Sequence, residues 1–143
     1  MKRILLVVIA LASAFYALEY SSSTGQRFPG HGNSEAALDE AIRARRAGYQ
    51  VQGSGKVVRI LSDDRDGSRH QRFIVQLASG QTLLIAHNID LAPRVADLKP
   101  GHIVAFYGEY EWNERGGVIH WTHHDPRGQH AAGWVEHNGV RYQ

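Results

Sequence analysis

Cysteine is absent from the 143 residues of the chain. Disulfide bonds and thiolate chemistry are therefore excluded. A strong charge of one sign is also missing, because the formal net charge is only +2 with histidine neutral. That charge is too small to indicate a nucleic-acid partner by itself. The length gives room for a single domain with a hydrophobic core.

Charged residues are distributed unevenly along the chain. From Arg43 to Arg72 there are eight basic residues against three aspartates. From Gly101 onward, three arginines accompany five acidic residues and six of the nine histidines. The first segment is suited to face a polyanion, whereas the second becomes cationic only as the pH falls below about 6.5.

A long apolar run occurs only at the N-terminus. Lys2 and Arg3 precede a nearly unbroken apolar segment from Ile4 to Leu18. This segment is short for a transmembrane helix and is typical of a signal peptide, with a possible cleavage site at Ala12-Ser13-Ala14. An uncleaved membrane anchor is the alternative. In both cases the charge asymmetry predicts export. We expect a periplasmic or secreted protein or, if the segment is uncleaved, a protein that contacts the inner membrane only through this segment and faces the periplasm.

One helix is predicted after a linker rich in Ser, Gly and Pro. Asn33 or Ser34 supplies an N-terminal cap, and Gly48 stands where a C-terminal cap is expected. The apolar stripe of this helix is narrow, which places it outside the main body as an accessory element.

The remainder of the chain has the alternation and turn residues of strands. The first strand is long and carries Gly53 and Gly55, which predict a bend or a bulge. Five strands with the longest connection between the third and fourth favour a barrel of the oligonucleotide/oligosaccharide-binding (OB) type. A C-terminal hairpin turning at Asn138-Gly139 follows. An SH3-like barrel or a small sandwich is the alternative fold.

The predicted organisation has four parts. They are a signal peptide or anchor at residues 1–20, a linker at 21–33, an accessory helix at 34–48, and an OB-like barrel with a C-terminal tail at 49–143.

The densest collection of reactive groups is GEYEWNERGGVIHWTHHD, from Gly108 to Asp125. Pairing the two strands of this hairpin places Glu109 opposite His120, with Glu111 on the same face. The other face would carry Tyr110, Trp112, Ile119 and Trp121 as a core layer. Glu109 would then orient His120 as a general base. The alternative is that this face is merely solvated.

No cysteine and no serine in a strained turn stands beside this pair, so the attacking nucleophile of any reaction would be water. The hairpin therefore indicates a hydrolase if it indicates an enzyme at all.

A metal site is predicted where the third and fifth strands end side by side. Imidazole and carboxylate groups are ligands of zinc, and catalytic zinc sites keep one position open. One zinc or another divalent ion could bind a subset of His87, His123, His124, Asp125 and His130. Histidines that only hydrogen-bond a polar loop are the alternative.

A ligand surface is predicted from a second group of residues. Barrels of this type bind nucleic acids or saccharides with a basic groove and aromatic platforms. The candidate ligand-binding residues are Asn88, Arg59, Arg72 and Tyr107.

Several long runs resemble one bacterial family. They are HNIDLAPR from His87 to Arg94, GEYEWN, GGVIHWTHHDP, GQHAAGW and NGVRY. The chain resembles, from about Val51 to Tyr142, an uncharacterised family of short exported proteins classed as a domain of unknown function. The resemblance implies a member with an accessory N-terminal helix, and it implies no activity.

Three functions are compatible with these patterns. The first is an exported binding module for a polyanionic or saccharide ligand, and the second is a zinc-type hydrolase acting on phosphodiesters or nucleic acid. The third is an envelope structural factor without a ligand. The sequence does not specify an oligomeric state.

Overall fold

A computed structural model describes residues 32–143 of the chain. The elements are α1 (Gly32–Arg43), β1 (Tyr49–Ile60), β2 (His70–Gln76), β3 (Thr82–Asn88), β4 (Ile103–Glu111), β5 (Val118–His120), β6 (Trp134–His137) and β7 (Val140–Tyr142). The predicted signal peptide or anchor and nearly all of the predicted linker lie outside these residues. Within residues 32–143, no helix has the length and apolar character needed to span a membrane.

Helix α1 begins two residues earlier and ends several residues sooner than the sequence predicts. The terminating residue is Arg45 and not Gly48. Arg45 has a φ of 51° and its N–H bonds the carbonyl of Ile42, while the N–H of Arg46 bonds the carbonyl of Ala41. This is the hydrogen-bond pattern of a Schellman cap, here without glycine.

The helix lies on the barrel through a small apolar stripe. Leu38 and Ala41 are almost completely buried. A Cβ at Gly53 of β1 would come within 2.7 Å of Leu38 and 2.9 Å of Phe106. Gly53 therefore allows the helix to approach the sheet closely.

Strand β1 pairs with two different strands of the barrel. Its residues from Tyr49 to Lys56 pair with β4, and those from Lys56 to Ile60 pair with β2. The register irregularity falls between Val57 and Arg59, so the predicted bulge lies beyond the two glycines. The long bent first strand is confirmed.

The barrel closes in the predicted way. The strand order is β1-β2-β3-β5-β4, and β4 pairs back to β1. Strands β3 and β5 run parallel, while the other pairs are antiparallel. This mainly β, five-stranded arrangement is the OB-type barrel expected from the sequence. Its core is made of apolar residues from β1 to β6, including Val57, Phe73, Val75, Ile85, Phe106, Tyr110, Ile119 and Val135.

Strand β4 carries two strands on one edge. Glu109 to Glu111 pair with β5, and Val104 to Tyr107 pair with β6. The chain leaves this edge after β5 and returns before β6, and we call residues 121–133 the excursion loop. Its base is closed by the N–H of Gly133, which bonds the carbonyl of His123 at 2.9 Å. The predicted C-terminal hairpin, β6–β7, turns at Asn138 and Gly139, both with positive φ.

Candidate metal centre and adjoining cleft

The β4–β5 hairpin has the register predicted from its alternation. Glu109 pairs with His120, Tyr110 with Ile119, and Glu111 with Val118. Tyr110 and Ile119 are completely buried. Successive side chains of a strand point to opposite faces, so Glu109, Glu111 and His120 lie together on the outer face. A shift of one residue would exchange the two faces, and burial of Tyr110 and Ile119 opposes that shift.

These three side chains, which we call the Glu/His cluster, converge on one point. Nε2 of His120 lies 3.5 Å from Oε1 of Glu109 and 4.0 Å from Oε1 of Glu111. One ligand atom from each residue lies within 4.8 Å of the others. Nε2 of His120 is buried and has no hydrogen-bond partner within the described chain. A polar atom in that state is costly unless something binds it.

The charge of the cluster suits a cation. Burial lowers the pKa of His120, although Glu109 and Glu111 act in the opposite direction. A neutral imidazole can offer a lone pair, as a metal ligand must. Ligand atoms of a tetrahedral zinc ion lie about 3.3–3.5 Å apart, so small side-chain rotations would bring the three atoms to bonding distance. The residues present therefore fit a zinc-type ion.

His130 reaches the cluster from the excursion loop. Its Nε2 lies 2.5 Å from Oε2 of Glu109, and its Nδ1 lies 3.0 Å from the carbonyl of Ala131. Both nitrogens face acceptors, an arrangement that favours the imidazolium, which donates from both. Its burial, which lowers the pKa, is outweighed by the bonds to Ala131 and Glu109, and the pKa of His130 is raised. An imidazolium has no lone pair, so this ring fixes Glu109 and does not itself bind metal in this state.

The ring of Trp121 stacks on the ring of His130. The ring centroids lie 4.1 Å apart and the planes are 7° from parallel. Trp121 has a φ of 53°, which ends the regular alternation of β5. For that reason Trp121 joins the outer site and the prediction that it belongs to the core is wrong. Trp112 was also predicted in the core, but it is 36% exposed and lies under the guanidinium of Arg45.

Asp125 organises the excursion loop. Its Oδ1 accepts the N–H of Arg127, and its Oδ2 accepts those of Gln129 and His130. The bond from Arg127, followed by those from Gln129 and His130, lowers the pKa of Asp125. Both oxygens are used within the loop, so the geometry gives Asp125 a structural role beside its predicted metal role.

His87 lies where the ends of β3 and β5 meet, as the sequence predicts. Its Nε2 donates to the carbonyl of Pro93 at 3.0 Å, and its Nδ1 lies 2.8 Å from Oγ1 of Thr122. A carbonyl only accepts, so Nδ1 is the acceptor from the threonine hydroxyl. Burial lowers the pKa of His87 and keeps the ring neutral. Both nitrogens are engaged, and no site remains on this ring for a metal.

His123 and His124 diverge, as adjacent residues on an extended segment do. His123 is buried, its Nδ1 donates to the carbonyl of His124 at 2.8 Å, and its ring lies beside Trp121. His124 is exposed. The structure therefore separates the five predicted metal ligands, and only His130 contacts the Glu/His cluster.

The four predicted ligand-binding residues lie on β1 to β4, and Arg59 and Arg72 are on the paired strands β1 and β2. Arg72 donates to the carbonyl of Ser62, and Asn88 accepts the N–H of Asp90. Tyr107 packs beside Trp134, with ring centroids 6.3 Å apart. The fourth, Arg59, is exposed on β1.

Two participants were not proposed from the sequence. Glu111 was placed on the correct face but was not assigned a ligand role. Gln50 pairs with Glu109 across β1 and β4, and both polar atoms of its amide are buried without a partner among the described residues. The β1–β4 register, which the sequence does not reveal, was the missing information.

A cleft adjoins the Glu/His cluster. It has a volume of about 560 Å³, and its walls are Leu91, Trp121, Asp125, Pro126, Arg127, Gln129 and His130. His130 is common to both features, because its ring lines the cleft while its Nε2 bonds Glu109. The cluster and the cleft thus meet at His130.

The fold and this site define a small OB-type barrel protein with a candidate metal centre on its outer face. The chain belongs to the family described as Protein of unknown function (DUF3465), whose sequence profile matches residues 21–143. This agrees with the resemblance found in the sequence. A comparison with curated proteins finds no match.

Proposed function

We propose that the protein is a zinc-type, metal-dependent hydrolase that works outside the cytoplasm. The observation that carries this proposal is the convergence of Glu109, Glu111 and His120 on one point. The location follows from the charged and apolar N-terminal segment of the sequence.

The openness of the cluster favours catalysis over a purely structural metal. Structural zinc sites are closed by four protein ligands, whereas catalytic sites use three and keep one position open. The side chains of His120 and Glu111 are 34% and 37% exposed, so the cluster lies at the protein surface although Nε2 of His120 is itself buried. A bound ion of this type would lower the pKa of a water molecule to about 7 and supply hydroxide for attack on an ester.

The residues around the cluster would position that chemistry. Glu109 is held by His130, and His130 is held by Trp121 and Ala131. Rigid placement of ligands is what a catalytic metal requires from its surroundings. The amide of Gln50 lies on the same side of the sheet, where a ligand could satisfy it.

Metal analysis of the untagged protein tests this proposal. We expect about one equivalent of zinc or a similar ion per chain. Glu111→Gln and His120→Gln should each weaken zinc binding more than about 100-fold, since even outer partners of a metal are worth about 10–100-fold. Glu114→Gln and His124→Gln make matched changes at exposed positions and should bind as the wild type does. A protein that neither contains zinc nor binds it when titrated would refute the proposal.

A second candidate function, ligand binding without catalysis, is favoured by the cleft. Trp121 offers a ring and Arg127 offers a charge to a saccharide or polyanion. Affinity for a polyanion should fall steeply as salt rises, because phosphate contacts release counterions. Binding without hydrolysis, in a protein that holds no metal, would favour this function over the first.

A further inference from the structure

We infer that the cleft binds the ring of a small organic oxyanion, with Arg127 at its wall meeting the negative charge. This inference rests on the proposed function for the direction in which the anion points, which is toward the Glu/His cluster, and for the phosphate-ester class of the substrate. It specifies a ligand class that neither the fold nor the family provides.

The size and the apolar lining of the cleft support the inference that it binds a ring. Its volume of about 560 Å³ lies in the range of about 300–1,000 Å³ that is usual for small-molecule sites. Leu91, Trp121 and Pro126 contribute apolar wall, and Leu91 is 45% exposed. A ring placed there would remove this apolar surface from water.

The guanidinium of Arg127, unpaired among the described residues, supports the inference that the ligand is an anion. Both carboxylate oxygens of Asp125 accept hydrogen bonds from N–H groups of its own loop. His130 is paired with Glu109. Within residues 32–143, the guanidinium of Arg127 makes no ion pair. Arg is well suited to bind phosphate or carboxylate oxygens through two parallel hydrogen bonds.

The rigidity of the walls favours a defined ligand. The Trp121 ring is fixed by its stack on His130, and the loop that carries Pro126 and Arg127 is fixed by Asp125. A prearranged site loses less entropy on binding. The neighbouring cluster would place a metal beside the oxyanion, which makes a ring-bearing phosphate ester the substrate class that joins both parts.

Calorimetric titration with three probes tests the inference. Phenylphosphonate carries both ring and anion, methylphosphonate only the anion, and benzyl alcohol only the ring. We expect phenylphosphonate to bind at least about tenfold more tightly than either, because each half contributes its own contacts. Phenylacetate, titrated in parallel, distinguishes a phosphorus-centred oxyanion from any oxyanion. Equal affinity for phenylphosphonate and methylphosphonate, or no binding of either, would overturn the inference.

Matched variants locate the binding. Leu91→Gln and Arg127→Glu should each weaken phenylphosphonate about tenfold. Ile103→Gln changes a residue with the same 45% exposure away from the cleft, and Arg65→Glu reverses an exposed charge elsewhere. These controls should remain within about twofold of the wild type. Loss of binding in the controls, or its retention in both cleft variants, would contradict the assignment.

Titration with and without chelator separates this inference from the proposed function. Ring-selective binding that persists in the chelated protein supports the cleft, and it refutes the hydrolase only where the protein neither contains zinc as purified nor binds it when titrated. A zinc-loaded protein that does not distinguish phenylphosphonate from methylphosphonate supports the metal site and refutes the cleft.

Discussion

Replacing Gly108 by alanine should disturb the Glu/His cluster from inside the barrel. A Cβ at this position would lie 2.4 Å from the carbonyl oxygen of His120 and 2.8 Å from methyl groups of Ile119 and Thr122. Ordinary contact begins at 3.4 Å, so the His120 backbone must move by about 1.0 Å, the difference between 3.4 and 2.4. Metal ligands tolerate only about 0.2 Å. We therefore expect zinc affinity to fall at least about tenfold and stability by about 1–3 kcal/mol, as in overpacked cores.

Gly53→Ala provides the control for this prediction. Its Cβ would also be overpacked, 2.7 Å from Leu38 and 2.9 Å from Phe106, but at the contact between helix α1 and the barrel. Urea denaturation should show a similar loss of stability in both variants, whereas zinc titration should show weakened binding only for Gly108→Ala. Wild-type zinc affinity in Gly108→Ala would refute the assignment of the ion to this hairpin. Unchanged stability would refute the close approach of β5 to Gly108.

Two further predictions concern pH and the excursion loop. Burial lowers the pKa of His87, so the unfolded chain binds its proton first and stability should fall as the pH drops below about 6.5. His87→Gln should reduce that slope in urea midpoints measured between pH 8 and pH 5, and an unchanged slope would contradict the buried neutral ring. Asp125→Asn should speed amide exchange at Arg127, Gln129 and His130, because it replaces one accepting oxygen with a donor. The wild-type loop should keep its protection from amide exchange until the pH falls through the lowered pKa of Asp125. Equal protection in the wild type and in Asp125→Asn would show that other bonds hold the loop.

The sequence predicted the part of the site that lies in regular strands. The pairing of Glu109 with His120 follows from alternation and from the apolar pair Tyr110 and Ile119, which allow only one register. The meeting of His87 with Thr122 follows from the parallel β3–β5 pair of this barrel type. The first result rests on a period of two, which short-range patterns express directly, and the second rests on the strand order of the barrel type.

The sequence could not predict what happens where that period ends. Positive φ at Trp121 turns its side chain to the outer face. The residue is not a glycine, so the sequence does not indicate this change of backbone conformation. The return of His130 to Glu109 depends on a loop of irregular backbone whose N–H groups make three hydrogen bonds to Asp125. Such contacts join residues 21 apart and have no periodic signature. The expected metal ligands were therefore placed at strand ends, whereas the three residues whose ligand atoms converge lie on the sheet face.

The shared edge of β4 has a consequence for how this protein can change. Strands β5 and β6 are attached to one continuous strand, and Gly133 closes the base of the excursion loop against His123. Most of the cleft wall comes from that loop, whereas Glu109, Glu111 and His120 come from the barrel. The part that would select a ligand thus comes mostly from a different segment than the part that would react with it, and His130 is the loop residue that joins them. A loop of different length or composition can be exchanged between the two attachment points, so one barrel can serve as a common frame for different ligand preferences.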